Sequence, residues 1–219
     1  EVFAVAEVLS SQGIMCSVPG GSSVLEKQHI LGLLAFLQTT LDLRSGGDGH
    51  DLFTALTAPW MQLSRIALWT VARQASKQGL TLFAFLSQPT AVVLDTIDIE
   101  VDELEAILQV LSLLKELGVT ERQKSFPDWF TSILSETGYL PWLLDQPEKF
   151  SYLAEIQSLS ESVKQFCYSN HAFGLQDFTR AIAVMRERNI RLTAQYVQTE
   201  TAAIEITTAH KAKGREWEY

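Results

Sequence analysis

Cysteine is scarce in this chain of 219 residues, and the two present, Cys16 and Cys167, lie far apart with no metal-ligand spacing between them. That argues against a disulfide framework or a thiolate metal site, and points to a reduced, cytoplasmic protein with structural cysteines. Long apolar runs are missing too: none approaches the roughly 18 residues that a membrane span needs. The longest clear one is Ile30 to Leu37, so a soluble protein without a membrane partner is expected. The opening residues Glu1-Val2-Phe3-Ala4 lack the basic start of a signal peptide and begin directly on a helical pattern, as expected of a piece of a longer protein. No Gly-x-x-x-x-Gly-Lys-Ser/Thr loop occurs, so the chain by itself is not expected to close a nucleotide-hydrolysing site or to be catalytic.

Basic residues are outnumbered, 17 to 26, for a net charge of −9. The sum argues against a polyanionic partner, but the distribution matters more. Between Val92 and Glu161 there are 14 Asp or Glu and four Lys or Arg, whereas the remainder of the chain is nearly neutral. Such an acidic block would repel a phosphate backbone and reads mainly as a solvated face.

What the chain has in abundance is helical periodicity. Apolar residues at Val2, Val5, Val8 and Leu9 space as a helix, and Ile14-Met15-Cys16-Ser17-Val18 reads as a short strand closed by Pro19-Gly20-Gly21. A helix over about 25–41 follows, with Ile30, Leu33, Leu34 and Leu37 on one stripe. From Leu52 to about Asn189 five or six helices are expected. Ser64 caps one that runs to Gly79. Leu104, Ile107, Leu108, Leu111 and Leu114 form a core stripe ended by Gly118, and Ser125-Phe126-Pro127-Asp128 has the form of a helix start. Pro147 and Gly174 open two more. The polar stretch Gly46 to Asp51 is expected to be a flexible connection rather than a metal loop. Trp60, Trp69, Trp129 and Trp142 sit among apolar neighbours and are expected in the core.

Near the end, Ala203-Ile204-Glu205-Ile206-Thr207 alternates as a half-buried strand and runs into Thr208-Ala-His210-Lys-Ala-Lys213-Gly214-Arg-Glu216-Trp-Glu-Tyr219. A hydroxyl, an imidazole and ammonium groups at the carboxyl end of a strand occupy the place where α/β proteins bind ligands. The order Thr-x-His-x-x-Lys-Gly-x-Glu-aromatic resembles motif V of superfamily 1 helicases of the UvrD/Rep type. Gly13 to Gly21 resembles the strand and Gly-Gly turn that precede that family's helical insertion. Thr57-Ala58-Pro59 with the helix after Ser64, and Glu136-Thr137-Gly138-Tyr139-Leu140, resemble parts of the insertion itself, the latter especially in helicase-nuclease relatives.

The resemblance implies a mainly α fold: a multi-helix bundle over 44–190, like the family's domain 2B, inserted into a partial RecA-like α/β domain made of 1–43 and 191–219, like domain 2A. It implies ATP and magnesium as cofactors of the full-length protein, and single-stranded and duplex DNA as partners beside proteins of repair or recombination. Thr208, His210 and Lys213 would face single-stranded DNA, and Gly214 and Glu216 would approach ATP. Arg65, Arg73 and Lys77 fall within about 120° of one helix face and are candidates for duplex phosphates, with a merely solvated face as the alternative. Arg186, Arg188 and Arg191 stand either near the hinge or against the acidic block. A different class also fits: a helical protein-interaction module whose acidic face recruits a basic partner.

Overall fold

The residues from Gln28 to Arg44 carry apolar side chains on more than one side, which is the pattern of a helix enclosed by others. The computed structural model describes residues 23–170 and 172–194, with Val5 and two short strands, and among these residues the fold is mainly helical. Gln28–Arg44 forms α1, in which Ile30, Leu33, Phe36 and Leu37 are wholly buried. It packs against α2 (Leu52–Leu56), α6 (Val101–Thr120) and α10 (Leu175–Glu187). These contacts set the buried apolar side chains of α1 among the helices of the bundle.

Around it stand α3 (Arg65–Lys77), α4 (Leu82–Leu86), α5 (Thr90–Thr96), α7 (Phe126–Glu136), α8 (Tyr139–Leu144) and α9 (Lys149–Ser169). Among the described residues nine α-helices stand from Leu52 onward where five or six were expected: α3, α6, α7, α9 and α10 are the long ones, and the short ones turn the chain between them. Local chemistry sets their starts. The Ser64 hydroxyl accepts the amide of Ala67 at 3.2 Å, Thr81 accepts that of Ala84 at 3.1 Å, and Ser125 accepts that of Asp128 at 3.4 Å. Each satisfies an amide that the first turn leaves without a carbonyl partner.

Two expectations about loops and ends change. Gly118 does not end its helix: α6 continues to Thr120, and a Cβ at position 118 would stand 3.3 Å from the Arg44 Cβ and 3.5 Å from the Thr40 carbonyl. The glycine is there so that α1 and α6 can approach closely. The stretch Gly46 to Asp51 is tied down, because the Asp42 carboxylate accepts the amides of Gly49 at 2.6 Å and His50 at 3.2 Å, with Gly49 in the left-handed region at φ 66°. A single carboxylate thus ends α1 and starts the turn into α2.

The strands are Cys16–Ser17 (β1) and Ile204–Glu205 (β2), paired in parallel with Cys16 opposite Ile204 and Ser17 opposite Glu205. A parallel pair needs a crossover connection, and here the whole helical bundle supplies it. The two ends of the chain therefore meet, at a ladder of two residues. The helix expected before Ser11 and the Pro19-Gly20-Gly21 turn lie outside the described residues. Among the described residues no helix is long and apolar enough to cross a membrane.

Candidate functional site

Helix α3 has a sharp division between its two sides. Ala67, Leu68, Val71 and Ala75 are buried, and they lie opposite Arg65, Ile66, Trp69, Arg73 and Lys77 at the usual 100° per residue. All five of the latter are exposed, Ile66 by 80% and Trp69 by 64%. The helix contains no Asp or Glu. Among the described residues Arg65, Arg73 and Lys77 pair with no carboxylate, whereas Lys27, Arg44 and Lys124 bridge Glu155, Glu121 and Glu136. In a part of the chain that is nearly neutral, three cations on one face without a carboxylate on their helix make a local positive patch. Trp69 is held by an edge contact with Phe53, ring centroids 5.0 Å apart.

Its exposure corrects the expectation that all four tryptophans are core. Trp129 and Trp60 are buried and Trp142 is half-buried, but Trp69 stands on the cationic side of its helix. The sequence carried the signal: positions 65, 69 and 73 fall on adjacent rows of the helix surface, away from Leu68 and Val71.

A second constellation lies inside the bundle. His29 Nδ1 is 2.6 Å from the Tyr139 hydroxyl and His29 Nε2 is 2.6 Å from Glu155 Oε2, while Lys27 Nζ stands 3.4 Å from Glu155 Oε1. Tyr152 stacks on the imidazole at 4.3 Å. Burial, followed by the charge of Glu155 and then Tyr152, pushes the Tyr139 hydroxyl far above its ordinary value, so it keeps its proton. Nδ1 is the partner that this buried proton has among the described residues, so the hydroxyl donates to Nδ1 and the ring proton on Nε2 is directed at the carboxylate. Hydroxyl, imidazole and carboxylate in line have the form of a nucleophilic relay. Burial decides otherwise: Tyr139 has no exposed surface and Glu155 is 1% exposed, so no substrate reaches either. The group is a clamp that ties the start of α1 to α8 and α9.

That clamp was not visible in the sequence, because the partners of His29 are 110 and 126 residues away. It also adds exceptions to the acidic block, which is otherwise the mainly solvated face expected of it. Asp95, Asp98, Glu100, Asp102 and Glu105 are exposed, but Glu155 is interior, and Glu121 bridges Arg44 while accepting the Leu175 amide at 3.0 Å at the head of α10.

The clamp makes alkaline stability testable. Because the folded value of Tyr139 is raised, its contribution is fully present below the ordinary tyrosine value of 10 and is lost as pH rises beyond it. Tyr139→Phe should cost about 1 kcal/mol at pH 7 through the lost hydrogen bond. Above pH 10 its unfolding free energy should fall less steeply than that of the parent, by up to about 1.4 kcal/mol per pH unit. Urea titrations from pH 8 to 11.5 measure both, and parallel curves would contradict the assignment.

The residues expected to bind single-stranded DNA and ATP, Thr208, His210, Lys213, Gly214 and Glu216, lie outside the described residues. Among the cations before β2, Arg186 donates to the Leu25 carbonyl at 3.2 Å, and among the described residues none of Arg186, Arg188 and Arg191 pairs with the acidic block. No group of three or more His, Cys, Asp or Glu suited to a metal occurs among the described residues.

The molecule is thus a helical bundle with an exposed cationic helix face and a closed polar clamp. No protein-family profile matches the chain. It is similar to one subunit of the ATP-dependent helicase/nuclease of Pediococcus pentosaceus, with 29% identity over 111 residues. The match takes in 51% of this chain and 9% of the relative, so the chain corresponds to a small part of that protein's length.

Proposed function

We propose that this chain is the DNA-contacting helical part of a helicase-related protein, with α3 as the contact surface. The observation that carries it is the row of cations Arg65, Arg73 and Lys77, which pair with no carboxylate among the described residues, on a helix that itself contains no Asp or Glu. Phosphate binding requires positive charge without competing acid, and counterion release then supplies the affinity. The partial likeness to a protein named as part of an ATP-dependent helicase/nuclease supports the same class.

In the full-length protein, ATP and magnesium would bind a RecA-like part to which the segments within 1–43 and 191–219 contribute. Gly214 and Glu216 would approach the nucleotide, and Thr208, His210 and Lys213 the translocating single strand. The bundle would hold α3 against the DNA ahead of that strand. ATP binding would shift the population of domain arrangements and so the grip on DNA.

The test is the salt dependence of duplex binding by the full chain. Arg65→Ala/Arg73→Ala/Lys77→Ala should weaken affinity and make the slope of log K against log salt shallower by about 2–3. An unchanged slope in a folded variant would remove α3 from the interface.

One observation favours a second reading. Val92 and Val101 protrude beside exposed Asp95, Asp98, Glu100 and Asp102, which is the composition of a face for a basic protein partner.

A further inference from the structure

Cations alone do not account for α3. A continuous duplex presents phosphate, sugar and groove edges, and its base faces are stacked on one another; arginine and lysine suffice for its backbone. Yet this face also carries two large exposed hydrophobic side chains, Ile66 and Trp69, set between the cations rather than beyond them. Positions 65, 69, 73 and 77 climb the helix in steps of four residues, about 6 Å each, so that an indole stands between positive charges over a length of about 18 Å. Alternating charge with an aromatic plane is the chemistry of single-stranded nucleic acid, whose unpaired bases stack on aromatic side chains while the backbone follows a positive track.

The scale of the apolar patch discriminates between partners. Trp69 and Ile66 together expose an area on the order of 300 Å², at the low end of the largest patches that ordinary monomers carry. A stable protein partner needs about 800 Å² from each side. The patch does match one or two base planes. Trp69 is also oriented in advance, since its edge contact with Phe53 restrains the ring on a helix whose opposite side is wholly buried. An aromatic held in place loses little freedom on binding.

We propose that α3 binds unpaired DNA, with Trp69 as a stacking platform, Ile66 packed beside the stacked base, and Arg65, Arg73 and Lys77 on the flanking phosphates. This rests on the assignment of α3 as a DNA contact, and adds that its preferred ligand is a single strand or the unpaired arm of a fork rather than closed duplex.

The experiment titrates the full chain with two fluorescent probes at several salt concentrations: an oligothymidylate of about 16 nucleotides, within the range of known single-strand sites, and a fully paired hairpin with as many phosphates. Trp69→Ala and Trp69→Phe are compared with the parent, and circular dichroism reports folding, which an exposed side chain should not perturb. Expected are tighter binding of the oligothymidylate than of the hairpin, and a loss of about 5- to 100-fold for the single strand in Trp69→Ala. The hairpin should change less than twofold, Trp69→Phe should restore most of the loss, and the salt slope should not move, because no phosphate contact is removed. Equal losses for both probes, or none for either, would overturn the platform. So would Trp69-dependent binding of an acidic amphipathic peptide as tight as that of the oligothymidylate. If the parent binds neither DNA, the DNA assignment of α3 itself fails. If it binds the hairpin through the three cations while Trp69→Ala changes nothing, only the stacking platform fails.

Discussion

Replacing His29 with alanine should lower the free energy of unfolding by about 3–5 kcal/mol, the sum of a buried hydroxyl left without its acceptor, a carboxylate left without one donor and a ring-sized cavity. His29 stands in a fully enclosed site and satisfies two other groups at once. Its Nδ1 accepts the Tyr139 hydroxyl and its Nε2–H is directed at Glu155. Without the imidazole the Tyr139 hydroxyl loses its acceptor, at about 1–3 kcal/mol for a buried polar group. Glu155 keeps the half-exposed Lys27 at 3.4 Å as its charged neighbour, and a ring-sized void opens against Tyr152. Urea denaturation at pH 7 measures the total. A double-mutant cycle of His29→Ala with Tyr139→Phe should show strong coupling, since the second change costs little once the acceptor has gone. A loss below 1 kcal/mol, or strict additivity, would mean that α1 is held by its apolar contacts alone.

Trp129→Ala should be about as damaging, at about 3–5 kcal/mol for truncation of a large buried aromatic. Trp129 is wholly buried at the junction of α6 and α7, stacked on Phe126 at 5.7 Å, and its indole N–H donates to the Leu117 carbonyl at 3.0 Å. That carbonyl also accepts the amide of Glu121, so the indole braces the last turn of α6 just before Glu121 reaches Arg44 and Leu175. Truncation therefore empties core volume and loosens the link between α1, α6 and α10. Trp129→Phe separates the two effects: it keeps most of the bulk and should cost about 1–2 kcal/mol for the lost hydrogen bond and the smaller ring. Chemical denaturation of both variants checks the order; equal losses would place all the effect in the hydrogen bond.

How far the fold was legible follows from the range of the forces involved. Ser64, Thr81 and Ser125 cap amides only three residues ahead, so the starts of α3, α4 and α7 follow from adjacent residues. The stripe Leu104, Ile107, Leu111 and Leu114 repeats within a few turns and marks α6 without reference to anything else. Gly118 shows where local rules fail. A glycine near the end of a periodic stretch has the form of a stop, but at this position the neighbouring helix needs its missing side chain, and contact across the fold outweighs the local preference.

The site divides in the same way. That Arg65, Arg73 and Lys77 share a face is a matter of spacing along one helix and could be read from the chain alone. Which face meets solvent, and that Trp69 and Ile66 stand on it, depended on where α3 lays Leu68 and Val71, since burial is a property of the neighbours a helix acquires. The Tyr139–His29–Glu155 clamp was decided by tertiary structure altogether. His29 is more than 100 residues from both of its partners, and only the packing of α8 and α9 over the start of α1 removes the three from water and makes their hydrogen bonds strong enough to matter.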